Sequence, residues 1–277
     1  MMDGYMDKIA VNVLAGLLLS GMTHAECHYS FDAHPTQLAM YSLLQEGNTT
    51  MLKPLVTTSN QQISMSLPDV PQKYLIASHD GIETLIQQFN QHDAAIGDLN
   101  VLSSGKLALE FKIDQLTAPV QTPDNVYKMG VMIYGSSLRP AAHNALKIEM
   151  SLSNAAMNSQ HEAAVNFTTT AMATGQQESF VYPVQLPLAA AYRLGLYVDQ
   201  DNGRLGVIIN GHDKGYLNTK IPVHLDRLAL APFIWSDLDP TNPLLGEVVA
   251  GTVITDARQM KLTYPVGTRD LCGIALR

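Results

Sequence analysis

The sequence predicts an all-β, antiparallel sandwich, on three observations. Apolar and polar residues alternate with period two: Leu107, Leu109, Phe111 and Ile113 share one face of a strand, while Ala108, Glu110, Lys112 and Asp114 share the other. Leu146, Ile148, Met150 and Leu152 oppose Lys147, Glu149, Ser151 and Ser153 in the same way. Further extended runs fall at 27–31, 62–67, 127–134, 164–170, 180–186, 228–234, 248–254 and 259–264, with turn-forming residues between them. Composition agrees: 277 residues, 46% hydrophobic and 15% charged, give ample material for a core and exclude disorder and collagen. One domain, 26–277, is expected.

Taken from the N-terminus, Lys8 precedes a charge-free apolar stretch at 9–19 and then Ser20-Gly21-Met22-Thr23-His24-Ala25. This is the pattern of an export signal, so residues 1–25 read as a signal peptide cleaved after Ala25, and the mature chain as periplasmic or extracellular. The apolar run is shorter than the ~18 to 20 residues that span a bilayer, so no transmembrane segment is expected after cleavage. Glu26 stands where a lipoprotein needs a small residue before Cys27. Export places the two cysteines, Cys27 and Cys272, in an oxidising compartment, where they are expected to pair. A bridge closing so long a loop stabilises by about 5 kcal/mol in the chain-entropy model, and it implies that the first and last strands are neighbours. One short peripheral helix is expected from Asp80-Gly81-Ile82-Glu83, read as a capping box, followed by Leu85, Ile86 and Phe89.

The stretch 192–216 reads as a three-strand meander. Asp201-Asn202-Gly203 joins the first two strands, and Asn210-Gly211 supplies the positive-φ residues of a second tight turn. Alternation turns Leu205, Val207 and Ile209 toward the core and Gly206, Ile208 and Asn210 away from it. The pattern Val207-x-x-Asn210-Gly211-x-x-x-Gly215-Tyr216 resembles the strand-turn-strand unit of concanavalin A-like lectin/glucanase jelly rolls, laminin-G-like modules included. The start Cys27-His28-Tyr29-Ser30-Phe31-Asp32-Ala33, with the chain length and export signal, also resembles a family of exported bacterial proteins that share that fold. These resemblances imply a jelly-roll sandwich of two curved sheets and supply no active site.

A net charge of -8 with scattered Lys and Arg argues against nucleic acid and anionic lipid as partners. The retaining glucanases of the resembled fold carry Glu-x-Asp-x-x-Glu on one strand, because alternate residues can set nucleophile and acid about 5 Å apart. No such sextet occurs here. Tyr127-Lys128-Met129-Gly130 is a partial echo of the alginate-lyase strand and lacks its Gln-x-His partner. Gly-x-Ser-x-Gly and His-Glu-x-x-His are also missing. The remaining candidates for ligand binding are Trp235, Asp237 and Asp239 in a late loop, with Arg193 and Tyr197 on the outward face of their strand, because aromatic stacking and fixed polar groups suit a sugar. Asp199 and Asp201 alternate oxygen donors as a Ca2+ site would, and a plain hairpin turn explains the same residues; no other cofactor is expected. The reading is an exported, non-catalytic binding or cell-envelope interaction protein, with glycan as the favoured ligand. The alternatives are a polysaccharide-active enzyme with a non-standard site and a structural adhesin or assembly component.

Overall fold

The computed structural model describes residues 29–46, 53–54, 56–59, 61–68, 72–91, 95–115, 126–138, 145–154, 162–172, 174–185, 191–221 and 224–277. The expected signal peptide, Glu26 and Cys27 lie outside them. In chain order the elements are α1 (Pro35–Glu46), β1 (Lys53–Pro54), β2 (Val56–Ser59), β3 (Gln62–Ser66), β4 (Gln72–Leu75), α2 (His79–Gln91), β5 (Leu99–Asn100), β6 (Lys106–Gln115), β7 (Val126–Ser136), β8 (Leu146–Ser153), β9 (Glu162–Ala171), β10 (Gln176–Gln185), β11 (Tyr192–Asp199), β12 (Arg204–Ile209), β13 (His212–Lys220), β14 (Arg227–Asp237), β15 (Val248–Ile254) and β16 (Thr268–Arg269). They form two sheets. Sheet A runs β1-β4-β14-β7-β8-β9-β10, with β5 on β14; sheet B runs β13-β12-β11-β6-β15-β3-β2, with β16 on β6. This is the antiparallel jelly-roll sandwich expected, relieved only by short parallel pairings at β1–β4 and β16–β6.

The inner faces follow the alternation. Leu107, Leu109, Phe111 and Ile113 of β6 meet Leu146, Ile148, Met150 and Leu152 of β8 in one buried cluster, which Leu205, Val207 and Ile209 of β12 join. Register in the meander is fixed by the two predicted turns: β11 pairs with β12 from Asp199↔Arg204 to Leu194↔Ile209, and Asn210 (φ 45°) with Gly211 (φ 86°) reverses the chain into β13.

Three expectations need correction. There are two helices among the described residues, not one. In α2 the N-cap is Ser78, whose Oγ accepts from Gly81 N at 3.1 Å, so Asp80 lies inside the first turn rather than capping it. The unanticipated α1 has Pro at its first position and Gln37 accepting at 2.9 Å from His34 N, half of a capping box. Both helices pack on the outer face of sheet A, where Leu38, Tyr41, Ile82 and Leu85 cover Tyr134, Ala229, Ala231 and Phe233.

The run 259–264 is not a strand, nor is 29–31. Met260, Leu262 and Tyr264 do alternate toward a surface, but that surface is the outer face of sheet B. Alternation reports burial on one side; it does not require a ladder partner. The first and last strands are also not neighbours, since β1 edges sheet A and β16 lies on β6 of sheet B. Of the two cysteines only Cys272 lies among the described residues, in an irregular stretch after β16.

Candidate functional site

Alternation along β11 puts Arg193, Gly195 and Tyr197 on the outer face of sheet B, as expected. That face is not wet. The irregular segment 256–277 lies across it, and Tyr197 is 1% exposed, packed with Ala108, Ile208, Ile254 and Met260 and flanked by Leu262 and Tyr264. Two glycines admit this layer. A Cβ on Gly195 would stand 2.6 Å from Leu262 Cδ1, and one on Gly206 would stand 2.0 Å from the Tyr197 ring. Glu110, the cross-strand partner of Gly195, anchors the segment: its fully buried carboxylate accepts from Lys261 N and Leu262 N at 2.8 Å each and from Arg193 Nη1 at 2.5 Å. Arg193 is thereby committed to an internal ion pair. Such a pair is tolerated because the carboxylate is surrounded by donors.

The tyrosines beneath the segment share a polar network. Tyr197 OH donates to Asp213 Oδ1 at 3.2 Å and Tyr216 OH to Asp199 Oδ2 at 2.8 Å, while the Arg204 guanidinium sits 4.0 Å from the Tyr216 ring centroid. Burial, reinforced by Asp213, raises the Tyr197 phenol; burial with Glu110 beside it raises Tyr264 well above the ordinary value. Burial alone would raise the Asp199 carboxyl, but hydrogen bonds from Asn202 and Tyr216, with Lys106 nearby, hold it below the ordinary value. The oxygens proposed for calcium are therefore engaged by protein donors: Asp199 by Asn202 N and Nδ2 and by Tyr216, Asp201 by Gly105 N at 3.0 Å. Among the described residues no group of three His, Cys, Asp or Glu side chains is placed to hold a metal.

Trp235 lies elsewhere. Odd-numbered residues of β14 face outward from sheet A: Ala229, Ala231 and Phe233 lie under the helices, and Trp235 and Asp237 continue the row beyond them. Trp235 is half-buried and belongs to no core cluster; Asp239 is exposed past the strand end. Trp235 and Asp237 therefore occupy the opposite outer face of the sandwich from Arg193 and Tyr197, and the two sets do not converge.

The face bearing Trp235 mixes polar and apolar residues, and its rungs follow from register. One runs Pro183–Ala164–Ser153–Lys128–Trp235–Lys73, the next Val181–Asn166–Ser151–Gly130–Phe233, and the third Ser179–Thr168–Glu149–Met132–Ala231. Lys128 Nζ forms an ion pair with Glu149 and lies 6.0 Å from the Phe233 ring centroid; Ser151 Oγ donates to Glu149 at 3.3 Å. Thr168 and Ser179 hydroxyls meet at 3.1 Å. Toward β10 the strip opens, with Ser179, Val181 and Pro183 exposed. Sequence reasoning named Trp235 but missed Lys73, Lys128, Glu149 and Asn166 as its companions. Alternation had already put Glu149 and Ser151 on the outward face of their strand; what one chain's pattern lacks is the pairing of β7 with both β8 and β14.

A family model described as Domain of unknown function (DUF4882) matches residues 7–274. The chain belongs to the DUF4882 family. No curated protein matches it. Among solved structures, this DUF4882 chain is similar to a prokaryotic beta-1,3-1,4-glucanase (lichenase) derived from a mouse hindgut metagenome, at 9% identity over 74% of this chain and 84% of that one, TM-score 0.41. It is similar also to LamAcat from Zobellia galactanivorans, at 10% identity over 82% and 87%, TM-score 0.39, and to a legume lectin-like domain from Entamoeba histolytica, at 6% identity over 72% and 84%, TM-score 0.39.

The tyrosine layer of the DUF4882 chain makes stability sensitive to alkali. Tyr197 and Tyr264 hold their protons more tightly when folded than in the unfolded chain, where the ordinary value is 10.0. Their contribution is complete below that pH and is lost as pH rises beyond it. Calorimetric Tm should be flat from about pH 8 to 9.5 and fall steeply toward about pH 11; an unchanged Tm across that range would contradict the burial of these phenols.

Proposed function

We propose that the protein is an exported, non-catalytic glycan-binding protein of the cell envelope, and that its binding face is the Trp235 strip of sheet A. The observation that carries this reading is Trp235 itself, half-buried on the outer face of sheet A beyond the helices and on the same face as the Lys128–Glu149 pair, with Ser151, Ser153 and Ala164 buried beside them. An indole supplies a flat apolar platform for a sugar ring, and Lys128, Glu149 and Asn166 supply hydrogen-bonding groups held in place by the ladder. Binding rather than hydrolysis is favoured by what surrounds Glu149. Its cross-strand neighbours are Met132 and Thr168, and its same-face neighbours along β8 are Lys147 and Ser151. Glycoside hydrolysis needs a second carboxylate at a set separation, and none of these supplies it.

Export and oxidation belong to the same reading. The leader pattern at 1–25 supports secretion. Pairing of Cys27 with Cys272 is supported by the path of the chain: Tyr29, two residues past Cys27, donates to Asp98 at 2.7 Å, and Leu102, four residues beyond Asp98, lies 3.2 Å from a Cβ built on Gly273. Intact mass of exported protein is expected to begin at Glu26 and to lack two hydrogens relative to the dithiol; a retained leader or two alkylatable thiols would contradict this.

The test of function is a glycan array followed by titration of the best ligand. Trp235→Ala, folded by circular dichroism, should lose at least roughly tenfold in affinity. Tyr197→Ala should instead lose about 3 to 5 kcal/mol of stability, since a buried aromatic is truncated. Unchanged affinity for Trp235→Ala would reject the strip as the binding face.

A further inference from the structure

We infer that the chain forms a two-fold symmetric dimer in which β10 pairs antiparallel with β10 of a second copy, about an axis through Ser179. The two sheets end on β1 and β10, and on β13 and β2. An unpaired edge invites another strand unless it is short, bent or charged. Three of these four are so protected. β1 is two residues long and holds Pro54, β2 is four residues long with a register shift between Thr57 and Ser59, and β13 carries register shifts against β12 together with Asp213, Lys214 and Lys220. β10 differs: its ten residues keep unbroken register with β9, from Gln176↔Ala171 to Gln185↔Glu162. Its one charged side chain, Glu178, is turned to Thr219 of β13, whose hydroxyl donates to it.

The ladder decides which backbone groups of β10 are left over. Met172 N donates to Ala145 O, so even-numbered residues of β9 turn their amides and carbonyls toward β8, and odd-numbered ones toward β10. Across the β9–β10 register, even-numbered residues of β10 are bonded to β9, while Gln177, Ser179, Val181 and Pro183 aim their backbone groups outward. Pro183 obeys the rule, since it has no N–H to give a ladder. All four are exposed, Val181 by 38%. A second β10 matches this set. With Ser179 opposite its own symmetry mate, Gln177 lies opposite Val181 on both sides of the axis, and each of these residues offers one N–H and one C=O to its partner. An axis nearer the C-terminal end would bring Pro183 into the ladder and leave a facing carbonyl without a donor. An axis nearer the N-terminal end would bring in Gly175, which sits in the turn with its N–H given to Ala171 O at 2.8 Å. In the Ser179 register Glu178 lies opposite Phe180 of the second copy, so like charges do not face each other. Pairing also covers Val181 and the half-buried Phe180 and Tyr182. The axis stands normal to the sheet, so the outer faces of both copies, each with its Trp235, lie on one side of a continuous sheet.

The experiment begins with the exported wild-type chain: light scattering on its size-exclusion peak should give twice the mass of one chain at high micromolar concentration. A cysteine trap then tests the register. Under copper-phenanthroline oxidation, Ser179→Cys should run as a disulfide-linked dimer on non-reducing gels, because residues opposite each other in a hydrogen-bonded antiparallel pair stand about 5.5 Å apart at Cα. Wild type and Gln177→Cys should run as single chains, since the two copies of residue 177 stand roughly 14 Å apart. Ser179→Lys sets two ammonium groups face to face and should raise the dimer dissociation constant at least roughly tenfold, with an unchanged circular dichroism spectrum. A wild-type monomer would overturn the pairing, and that measurement stands whether or not a variant folds. A dimer that Ser179→Cys fails to trap, or that Gln177→Cys traps equally well, would overturn it too.

Discussion

Glu110 is a carboxylate with no exposed surface, set on the outer face of a sheet where a glutamate would ordinarily be solvated. Its oxygens are shared between one guanidinium and the backbone amides of Lys261 and Leu262, which belong to no strand. Removing a charge from water costs several kcal/mol, and only a full set of donors offsets it. Arg193 of β11 and the 256–277 segment together supply that set, and in doing so cover the outer face of sheet B around Tyr197. Farther along the same face the Lys112–Asp114 ion pair and Thr252 stay partly exposed, so the covering is confined to the region around Tyr197.

The two outer faces are covered by different means, for a physical reason. A helix satisfies its own backbone, so α1 and α2 need offer sheet A only apolar side chains such as Leu38, Ile82 and Leu85. The 256–277 segment has only the short β16 ladder on β6 and a few turn bonds of its own, so many of its amides must find side-chain acceptors. Besides Glu110 it uses Asp270, whose oxygens accept from Ala257 N, Cys272 N and Ile274 N, and Asp256, which accepts from Arg258 N. Both aspartates are buried. Buried acids in this chain therefore mark backbone anchoring, and they are poor guides to chemistry.

That distinction governs how far the sequence could be read. The longer strands, the meander with its Asn210-Gly211 turn, and the inward set Leu205, Val207 and Ile209 were legible, because period-two alternation records burial against the opposing sheet, whereas β1, β2, β4, β5 and β16 are too short to show a period and were not read. The same signal misled at 259–264, where Met260, Leu262 and Tyr264 alternate against a sheet's face without joining its ladder. Tyr197 and Arg193 were correctly assigned to the outward side of β11 and wrongly expected at a wet surface, since nothing in their own strand reveals a covering segment some sixty residues later. α1 was missed because its apolar residues Leu38, Met40, Tyr41, Leu43 and Leu44 do not keep to one helical face, so the sequence shows no clear period there. Trp235 was found by its chemistry alone; its lysine neighbours come from β4 and β7 and needed the register.

The inner faces, the helix-covered half of sheet A and the Tyr197 region of sheet B serve packing. The claim underneath is that Glu110 holds the 256–277 segment as firmly as a strand is held. Amide hydrogen exchange followed by NMR tests it most directly at Lys261 and Leu262, whose N–H groups point at that carboxylate. The account predicts that both exchange as slowly as the ladder amides of β6, with protection near the global unfolding free energy. Exchange as fast as that of exposed loop amides would mean that the segment opens freely, and that the face carrying Arg193 and Tyr197 is available to ligand after all.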